Sequence, residues 1–555
     1  MRGVELLPGG DWLTVDAEGH ERQASYWRLA EHAGSAPYGQ EAAAYRDAYL
    51  ELLESATAEH LQRDVGAGVF LSGGVDSALV AALVARHEKQ LPCLTVVERG
   101  SYLEGDVDSA RRLTAALGLR WLPVRFDHRH VVREMGFDLQ RLEESVWVMD
   151  SPRFDIEWLF KEELHRVARR QAPDLKVVLL GQGADEFAGG YSRRATALRQ
   201  DWAQYLRDEV GPNLVYEAAG RGEASASMWD LARVPQAPQG PSAYHRFMTM
   251  LTRQLQHHNL WHEDRTSAWN GLEARVPFLD HRLVELLASV PAELHEELFW
   301  NKRIVRSALE RVAPRHRVTQ PKLGFLEGRD SSSLDVIQHD LLNAVARDFR
   351  DKYLSGAEGP FDPARLQGLI GQALSRGPAR MDAMRNALRC MAITIFERQL
   401  HHGCDAPPRD DRPVLRLMAD ADWQRWQGEM AAPPRCSRAW AAGERVALRP
   451  GVEIAASVAS GEGGVLLLRD GVLAGRIEPA QGDDWMLTFL RHQGAPAARG
   501  FTLQDWLDEF EIDAARLHEF LDVLYHVGVL EVLAEEGTSA DAAQPAQPAP
   551  LEAGC

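Results

Sequence analysis

Residue types that bind phosphate stand together in the stretch Ser72-Gly73-Gly74-Val75-Asp76-Ser77, directly after an apolar run that ends at Leu71. A helical pattern of small and apolar residues begins immediately behind it. Glycine lets the backbone turn sharply and approach a bound group, and the N–H groups of a helix N-terminus attract anions. Asp76 suits such a site only if a cation lies beside it, so the stretch predicts phosphates held together with Mg²⁺. The alternative is an ordinary turn between a strand and a helix.

A second glycine-rich stretch, Gly181-Gln182-Gly183-Ala184-Asp185-Glu186, follows an apolar run that ends at Leu180. It places another carboxylate, Asp185, directly behind an apolar run. Two carboxylates that converge on one site usually share a cation, so Asp76 and Asp185 are the predicted Mg²⁺ ligands. The alternative is that Asp185 and Glu186 only cap a helix.

The elements that must position these loops are apolar runs that alternate with helical patterns. The runs cover residues 69–71, 91–97, 121–126 and 175–180. This alternation predicts an α/β fold, a parallel sheet with helices on both faces, followed by a helical extension. Ligands of such sheets lie at the C-terminal ends of the strands, so the loops after Leu71, Val96 and Leu180 should meet.

Two further stretches follow in the second half of this region. Leu272–Asp280 is the third distinctive stretch. The alternative interpretation is a helix–loop junction in which Arg275 pairs with Asp280. Basic residues then crowd positions 302–322 of an acidic chain, and a solvated charged face is the alternative interpretation. Lys322 stands at the centre of Pro321–Phe325, where a mobile loop could close over phosphates and neutralise developing charge. Lys302 is a second candidate catalytic residue in this segment.

With these stretches in order, residues from about 27 to 400 resemble the synthetase half of class B asparagine synthetases, whose relatives include β-lactam synthetase and lasso-peptide cyclases. The first stretch resembles the pyrophosphate loop of N-type ATP pyrophosphatases and does not fit a Walker loop. The resemblance implies an adenine nucleotide α-hydrolase-like fold that uses ATP and Mg²⁺. A carboxylate would attack the α-phosphorus of ATP to give an acyl-adenylate and pyrophosphate, and an amine would then expel AMP.

The resemblance also implies roles for individual residues. The loop would hold pyrophosphate, three strand ends would contact the nucleotide, and Lys322 would stabilise the charged transition states. The implied ATP-binding residues are Leu71, Ser72, Gly73, Gly74, Asp76, Ser77, Val96, Leu180 and Gly181. Gln182 stands where these synthetases usually have glutamate. A neutral amide cannot act as a base, so the acceptor or the proton route should differ, and Gln182 becomes a third candidate catalytic residue.

The glutaminase half of these synthetases has no counterpart ahead of Tyr26, because Met1 is followed by Arg2 and not by a nucleophilic cysteine. Nitrogen is therefore expected from free ammonia, from a separate glutaminase subunit or from an amine on the substrate itself. A truncated sequence or a wrong start site is the alternative.

Composition argues against some partners of the protein and indicates its cellular compartment. A net charge of −19 argues against a nucleic-acid partner, because phosphate backbones select basic surfaces. No apolar run is long enough to cross a bilayer, and no signal-peptide pattern opens the chain. The five cysteines lack ligand-pair spacing, which argues against a zinc or disulfide scaffold and favours a cytoplasmic location.

Breaks rich in proline suggest five segments along the 555 residues. They are a linker-like segment at 1–40, the synthetase-like domain at 41–404, a linker at 405–434, a C-terminal domain at 435–535 and a disordered tail at 536–555.

Within the C-terminal domain, three short strands at 445–448, 464–469 and 472–477 precede three helical patterns, which predicts a small winged-helix-like α+β module. Its order resembles the recognition element of ribosomal-peptide (RiPP) modification enzymes, which binds a leader peptide as an added strand. A generic winged helix for packing or homodimer formation is one alternative. DNA binding is another, and the acidic helix at 505–511 counts against it.

The main hypothesis is an ATP-dependent, AMP-forming amide synthetase, a carbon–nitrogen ligase. It would act on a carboxylate of a ribosomally made peptide that the C-terminal domain delivers, and ammonia or an internal amine would complete the amide. One alternative is an amide synthetase for a small metabolite, including ammonia-dependent asparagine formation. Another is a non-catalytic scaffold partner, and the presence of Asp76, Asp185 and Lys322 counts against it.

Overall fold

The computed structural model describes most of the chain. The described residues are 7–97, 106–126, 137–152, 156–194, 202, 242–255, 259–314, 316, 332–355, 359–374, 380–401, 415–431, 444–449, 452–456, 465–469, 472–477, 486, 489–490, 502–510, 514, 517–518, 520–521, 524 and 529–533. The chain divides into two compact units, Met1–Ala431 and Ala432–Cys555. None of the helices described is both long and apolar enough to cross a membrane.

The first unit begins with an antiparallel hairpin of β1 (Asp11–Val15) and β2 (Glu21–Ser25). Trp27 ties this N-terminal segment to the rest of the unit, because its Nε1 donates a hydrogen bond to Glu285 at 2.8 Å. The segment is therefore packed onto the unit at Trp27.

A six-stranded sheet forms the centre of the first unit. Its strands are β3 (Gly66–Phe70), β4 (Pro92–Val97), β5 (Arg120–Arg125), β6 (Leu175–Leu179), β7 (Glu273–Arg275) and β8 (Arg416–Leu417). The strand order is β7-β6-β3-β4-β5-β8, in which β3 to β7 are parallel and β8 is antiparallel to β5. The predicted α/β class with a parallel sheet is confirmed.

Helices surround this sheet. They are α1 (Ala42–His60), α2 (Val75–His87), α3 (Asp106–Leu117), α4 (Leu139–Met149), α5 (Ile156–Gln171), α6 (Ala184–Phe187), α7 (Ala243–Gln254), α8 (Leu260–Trp269), α9 (His281–Ser289), α10 (His295–Phe299), α11 (Arg303–Val312), α12 (Ser332–Phe349), α13 (Pro363–Leu374), α14 (Arg380–His401) and α15 (Asp420–Ala431).

Helices cover both faces of the sheet. Successive residues of a strand point to opposite faces, so neighbouring residues enter different apolar clusters. Val69 and Val177 enter one apolar cluster with α1, α2 and α11, whereas Phe70 and Val178 pack into a second cluster with α4, α5 and α12 to α14. Helix α2 is buried along most of its length and packs against α1, α3 and α11. Its small residues allow this close packing, so the helix behind the first glycine-rich loop is rigidly held.

The strand order places the two glycine-rich loops side by side. From β3 the chain proceeds to β4 and β5 on one side, and it returns to place β6 on the other side. Val69 pairs with Leu179, so β3 and β6 end at the same level. The loops behind them open at the point where the strand order reverses, which is where open α/β sheets bind ligands.

Three features of the first unit differ from the predictions. The stretch Leu272–Asp280 contributes strand β7, and Arg275 pairs with Glu273 rather than with Asp280, which accepts hydrogen bonds from Arg282. Residues 415–431, which lie within the predicted linker 405–434, form β8 and α15 of the first unit. They are held there because Trp423 packs edge-on against Trp121 with ring centroids 4.9 Å apart.

The second unit contains two antiparallel sheets and helical residues. Its regular elements are β9 (Val446–Leu448), β10 (Val452–Ala456), β11 (Val465–Arg469), β12 (Val472–Ile477), α16 (Leu503–Phe510) and β13 (Leu530–Val532). Strands β10-β11-β12 form one sheet and β9 pairs with β13, so the unit includes a strand, β10, that was not predicted. The predicted tail at 536–555 lies outside the described residues.

Side chains from sheet and helices share the core of the second unit. Leu467 of β11 lies in one apolar cluster with Trp506 of α16 and with Phe489. Thr502 caps the start of α16: the Asp505 N–H donates to the Thr502 hydroxyl, and the Thr502 N–H donates to the Asp505 carboxylate.

Candidate active site

The first loop connects β3 to α2 and presents N–H groups to a common space. Gly73 has φ +93°, and Gly74 precedes the helix in an extended conformation. A Cβ atom on Gly73 would lie 1.9 Å from the carbonyl oxygen of Asp106, so only glycine fits there. The N–H groups of the first turn of α2 have no partner within the helix, and they suit a phosphate oxygen.

The two serines of this loop hold its shape. The Ser77 hydroxyl accepts a hydrogen bond from the Ser72 N–H at 3.1 Å, and the two hydroxyl oxygens are 3.0 Å apart. Gly74 N–H reaches the Ser72 hydroxyl at a long 3.3 Å. Both serines therefore hydrogen-bond within the loop and hold its shape, and their contact with phosphate stays a prediction.

The second loop connects β6 to the short helix α6. The N-cap of α6 is Gly183, with φ +95°, so Asp185 and Glu186 lie in the first turn of the helix and not at its N-cap position. Gly181 packs directly on the first loop, because an added Cβ would lie 2.7 Å from the Ser77 nitrogen. The two loops are thus in direct contact.

Lys302 joins the two predicted metal ligands. Its Nζ atom lies 2.5 Å from Oδ2 of Asp76 and also contacts Oδ1 of Asp185. The lysine is 2% exposed, so it does not belong to a solvated charged face. Asn301 and Lys302 both adopt the left-handed region, with φ +53° and +56°. Two non-glycine residues in this region are strained, and such strain clusters at functional sites.

Gly190 permits this close approach. A Cβ atom there would lie 1.8 Å from Oδ1 of Asp185 and 2.2 Å from Cε of Lys302. The glycine therefore keeps the lysine and the carboxylate in contact, which is a role that the spacing of the sequence did not reveal.

The donor set fits a divalent cation. Oxygens of Asp76 and Asp185 converge on the Lys302 ammonium beside the first loop, so a divalent cation held by both carboxylates would lie at or next to the position of this ammonium. Mg²⁺ is usually held by one or two carboxylates together with substrate phosphates, which is what this position offers. A cation bound by Asp76 and Asp185 would add positive charge next to the phosphates.

Several residues around Asp76 and Asp185 were given no role in the site from the sequence. Glu186 accepts hydrogen bonds from the Tyr191 hydroxyl at 2.8 Å and from Asn259 at 3.0 Å. Burial, and then the neighbouring Asp185, raise the pKa of Glu186. The Tyr49 pKa is raised by burial and then by the Asp76 charge. No sequence signal could have linked Asn259 to Glu186, because the two are far apart along the chain.

Gln182 lies between the two glycines of the second loop. Its Oε1 atom is buried and, within the described part of the chain, accepts no hydrogen bond. A buried amide oxygen of this kind is costly unless a partner reaches it. The side chain is therefore suited to receive an N–H group from a bound molecule.

The remaining predicted residues are Leu71, Val96 and Leu180, near the ends of strands, and Lys322. Leu71 and Leu180 are buried, and their N–H groups donate to the carbonyls of Leu94 and Arg275 at 2.8 and 2.9 Å. Val96 is the last residue but one of strand β4, which pairs with β3 on the side away from β6, and its side chain is half-buried. Nucleotide contacts at these positions stay predictions. Lys322 lies outside the described residues.

Comparison of the amino-acid sequence with known proteins points to one family. The family model for asparagine synthase matches residues 48–397, which is more than half of the chain. Asparagine synthetase [glutamine-hydrolyzing] 2 of Bacillus subtilis (strain 168) is 32% identical over 346 residues, 59% of this chain and 45% of that protein. The putative asparagine synthetase [glutamine-hydrolyzing] of Mycobacterium tuberculosis (strain ATCC 25618 / H37Rv) is 28% identical over 368 residues, 58% of this chain and 54% of that protein.

The chain spans about half the length of the curated relatives that it matches. The match covers strands β3 to β7 and both glycine-rich loops, including Asp76, Asp185 and Lys302. The chain belongs to the asparagine synthase family.

Proposed function

We propose that the first unit is an ATP-dependent amide synthetase that activates a carboxylate as an acyl-adenylate and releases AMP. The observation that carries this proposal is the convergence of Asp76 and Asp185 on Lys302, beside a glycine-rich loop at the N-terminus of α2. Such a site is suited to a polyphosphate with a divalent cation. Membership of the asparagine synthase family supports the same reaction class.

In the first step, an oxygen of the substrate carboxylate forms a bond to the α-phosphorus of ATP. The bond between the α-phosphorus and the bridging oxygen breaks, and pyrophosphate leaves with the electron pair. The N–H groups of the first loop and of α2 hold the pyrophosphate. The Lys302 ammonium offsets negative charge on Asp76 and Asp185, so that phosphates can approach two carboxylates.

In the second step, an amine nitrogen attacks the acyl carbon, and the bond to AMP breaks. Gln182 receives one N–H of the amine at its buried Oε1 atom and thereby orients the nitrogen. A neutral amide cannot take the proton that the nitrogen must lose, so we assign that proton to the departing AMP phosphate or to water. The amine is ammonia, free or from a separate glutaminase subunit, or an amine of the substrate itself.

A ribosomally made peptide is the proposed carboxylate substrate, and the second unit is its proposed binding module. The support is the three-stranded antiparallel sheet, in which β10 and β12 are the outer strands among those described. An extended peptide can add to such an edge through backbone hydrogen bonds.

A second candidate is asparagine formation, which the names of the relatives favour, with ammonia here in place of the glutamine that those names give. AMP release by the full-length chain separates the two candidates. Stimulation by aspartate with ammonium supports asparagine formation, whereas stimulation only by candidate peptides supports the peptide substrate.

Mass spectrometry of peptides encoded beside the gene, incubated with the full-length chain, ATP, Mg²⁺ and ammonium, identifies the product. A loss of about 1 Da indicates amidation by ammonia, because NH₂ replaces OH. A loss of about 18 Da indicates internal cyclisation, because an amine of the peptide is the nucleophile and water is lost. An absence of substrate-dependent AMP release with every peptide would contradict the peptide proposal.

A further inference from the structure

A buried polar pair supports the first loop from α3 and from the segment behind α11. The Ser109 hydroxyl donates a hydrogen bond to the carbonyl oxygen of Gly73 at 2.9 Å. The same hydroxyl oxygen lies 3.2 Å from Nε2 of His316. Ser109 is fully buried and His316 is 7% exposed, so water competes little for these bonds.

The direction of the bonds follows from the number of protons. A serine hydroxyl has a single proton, and that proton is used on Gly73. The contact with His316 must then use an oxygen lone pair of Ser109, so Nε2 of His316 carries a hydrogen and donates it. The result is a chain of two hydrogen bonds, His316 to Ser109 to Gly73, in which each bond polarises the next.

The chain ends on the peptide group that joins Gly73 to Gly74. This group is planar and trans, so its carbonyl oxygen and its N–H point in opposite directions. When Ser109 holds the carbonyl of Gly73, the N–H of Gly74 is turned the other way, toward the Ser72 hydroxyl at 3.3 Å. That long contact is one that a phosphate oxygen can replace.

The Gly73–Gly74 peptide group needs such contacts to fix its orientation, because glycine backbones rotate freely. Gly73 has φ +93° and no side chain that would limit its rotation, and Gly74 follows it directly. The start of α3 packs on one side of Gly73, because the Asp106 carbonyl leaves no room for a Cβ. Two contacts among the described residues orient this peptide group, and the shorter of them, 2.9 Å against 3.3 Å, is the hydrogen bond from Ser109.

We propose that Ser109 and His316 are positioning residues that orient the Gly73–Gly74 peptide group for pyrophosphate. The inference rests on the proposed function, since it takes the pyrophosphate part of ATP as the ligand of the loop. His316 acts through Ser109 and does not touch the ligand. Its contribution is selective for ligands that carry the β- and γ-phosphates.

Calorimetric titration of the full-length chain with inorganic pyrophosphate, ATP and AMP, each with Mg²⁺, tests this inference. Ser109→Ala and His316→Leu should each weaken pyrophosphate and ATP binding by roughly tenfold, because one oriented hydrogen bond to an anion is lost. AMP should bind all variants equally, since it lacks the phosphates that the loop holds. His316→Gln, which keeps an N–H donor near the position of Nε2, should retain affinity within about threefold.

The outcomes separate the two proposals. If the wild-type chain binds neither ATP nor pyrophosphate, the proposed function is wrong and this inference with it. If the wild-type chain binds pyrophosphate and Ser109→Ala and His316→Leu bind it equally well, only the positioning role is wrong. An equal loss of AMP and pyrophosphate affinity, or a failure of His316→Gln to recover affinity, would assign the pair a merely structural role and also overturn the inference.

Discussion

Lys302 is the residue on which the account of the site depends most. It is buried and contacts two carboxylates that come from different loops. Lys302→Met leaves both carboxylates without this cation, and removal of one partner from a buried ion pair costs about 3 kcal/mol or more. We therefore expect a clear loss in the free energy of unfolding, measured by urea denaturation, and partial recovery when Mg²⁺ is added.

A matched control is Lys352→Met. Lys352 also binds a carboxylate, Glu143, at 2.7 Å, but its side chain is 53% exposed. Exposed pairs contribute about 1 kcal/mol or less, so this variant should remain close to wild type. Equal effects of the two substitutions would contradict the buried role of Lys302.

Gly190 makes a steric prediction. Gly190→Ala places a methyl group where Asp185 and Lys302 now meet, so one of the two side chains must move. We expect the affinity for ATP with Mg²⁺ to fall by roughly 10- to 100-fold, the range found when groups that orient metal ligands are changed. Isothermal titration of the full-length chain measures this affinity.

Gly368→Ala is the control for that experiment. Gly368 lies in α13, and no atom stands within 4 Å of the position of an added Cβ. Alanine also favours the helix, so affinity should not change and stability should not fall. Loss of affinity in this variant, or normal affinity in Gly190→Ala, would be inconsistent with the steric explanation.

At the residue scale, the sequence predicted which residues belong to the site better than it predicted which residues contact each other. Carboxylates directly behind apolar runs predicted that Asp76 and Asp185 meet, and both contact Lys302. From the sequence, Lys302 could be suggested only as one member of a basic segment. Its contact with the two carboxylates depends on Gly190 and on the strained turn at Asn301. These are tertiary constraints that spacing along a chain does not contain.

At the element scale, α15 shows where the first unit ends. Trp423 packs on Trp121 and stacks on Trp426, with ring centroids 5.5 Å apart in the second pair. Trp423→Ala removes a large buried side chain and should destabilise the first unit by about 3 kcal/mol or more. Urea denaturation followed by circular dichroism measures the change.

Tyr26→Ala serves as the comparison, because Tyr26 is an aromatic residue that is 72% exposed. Surface substitutions usually change stability by about 0.5 kcal/mol or less. If Trp423→Ala is as mild as Tyr26→Ala, residues 420–431 behave as the linker that was predicted and not as part of the first unit.

Strand length explains which elements could be predicted. Strands β3 to β6 have five or six residues and read as apolar runs, whereas β7 has three residues and β8 has two. A run of two or three residues carries no periodicity, and pairing with β6 or β5 is what makes it a strand. The order of strands likewise depends on packing between distant segments, so the contact between the two loops was an expectation of the fold class alone.

At the scale of the whole molecule, stability should depend on pH through buried histidines. Burial lowers the pKa of His295 to about 4, and it also lowers the pKa values of His245 and His60. Between pH 6.5 and 4 the unfolded chain binds a proton at His295 that the folded chain does not, so stability falls as the pH falls. Full loss of this contribution amounts to about 3 kcal/mol.

His295→Gln tests this source of pH dependence. Glutamine offers an N–H to the Val290 carbonyl and an oxygen to the Ser242 hydroxyl, the two partners of His295, but it does not titrate in this range. The decrease in unfolding free energy between pH 7 and pH 5 should therefore be smaller in this variant. His281→Gln, at a position with a side chain 71% exposed, should retain the full decrease. The same slope in all three proteins would contradict the assignment.

The central claim is that the loops behind β3 and β6 activate a carboxylate with ATP. The most direct measurement is the exchange of labelled pyrophosphate into ATP by the full-length chain, with candidate peptides or aspartate as the carboxylate. We predict substrate-dependent exchange in the wild type and in Asp64→Ala, an exposed position, and a loss of roughly 100-fold or more in Asp76→Ala. Undiminished exchange in Asp76→Ala, or release of ADP and phosphate in place of AMP and pyrophosphate, would contradict the account.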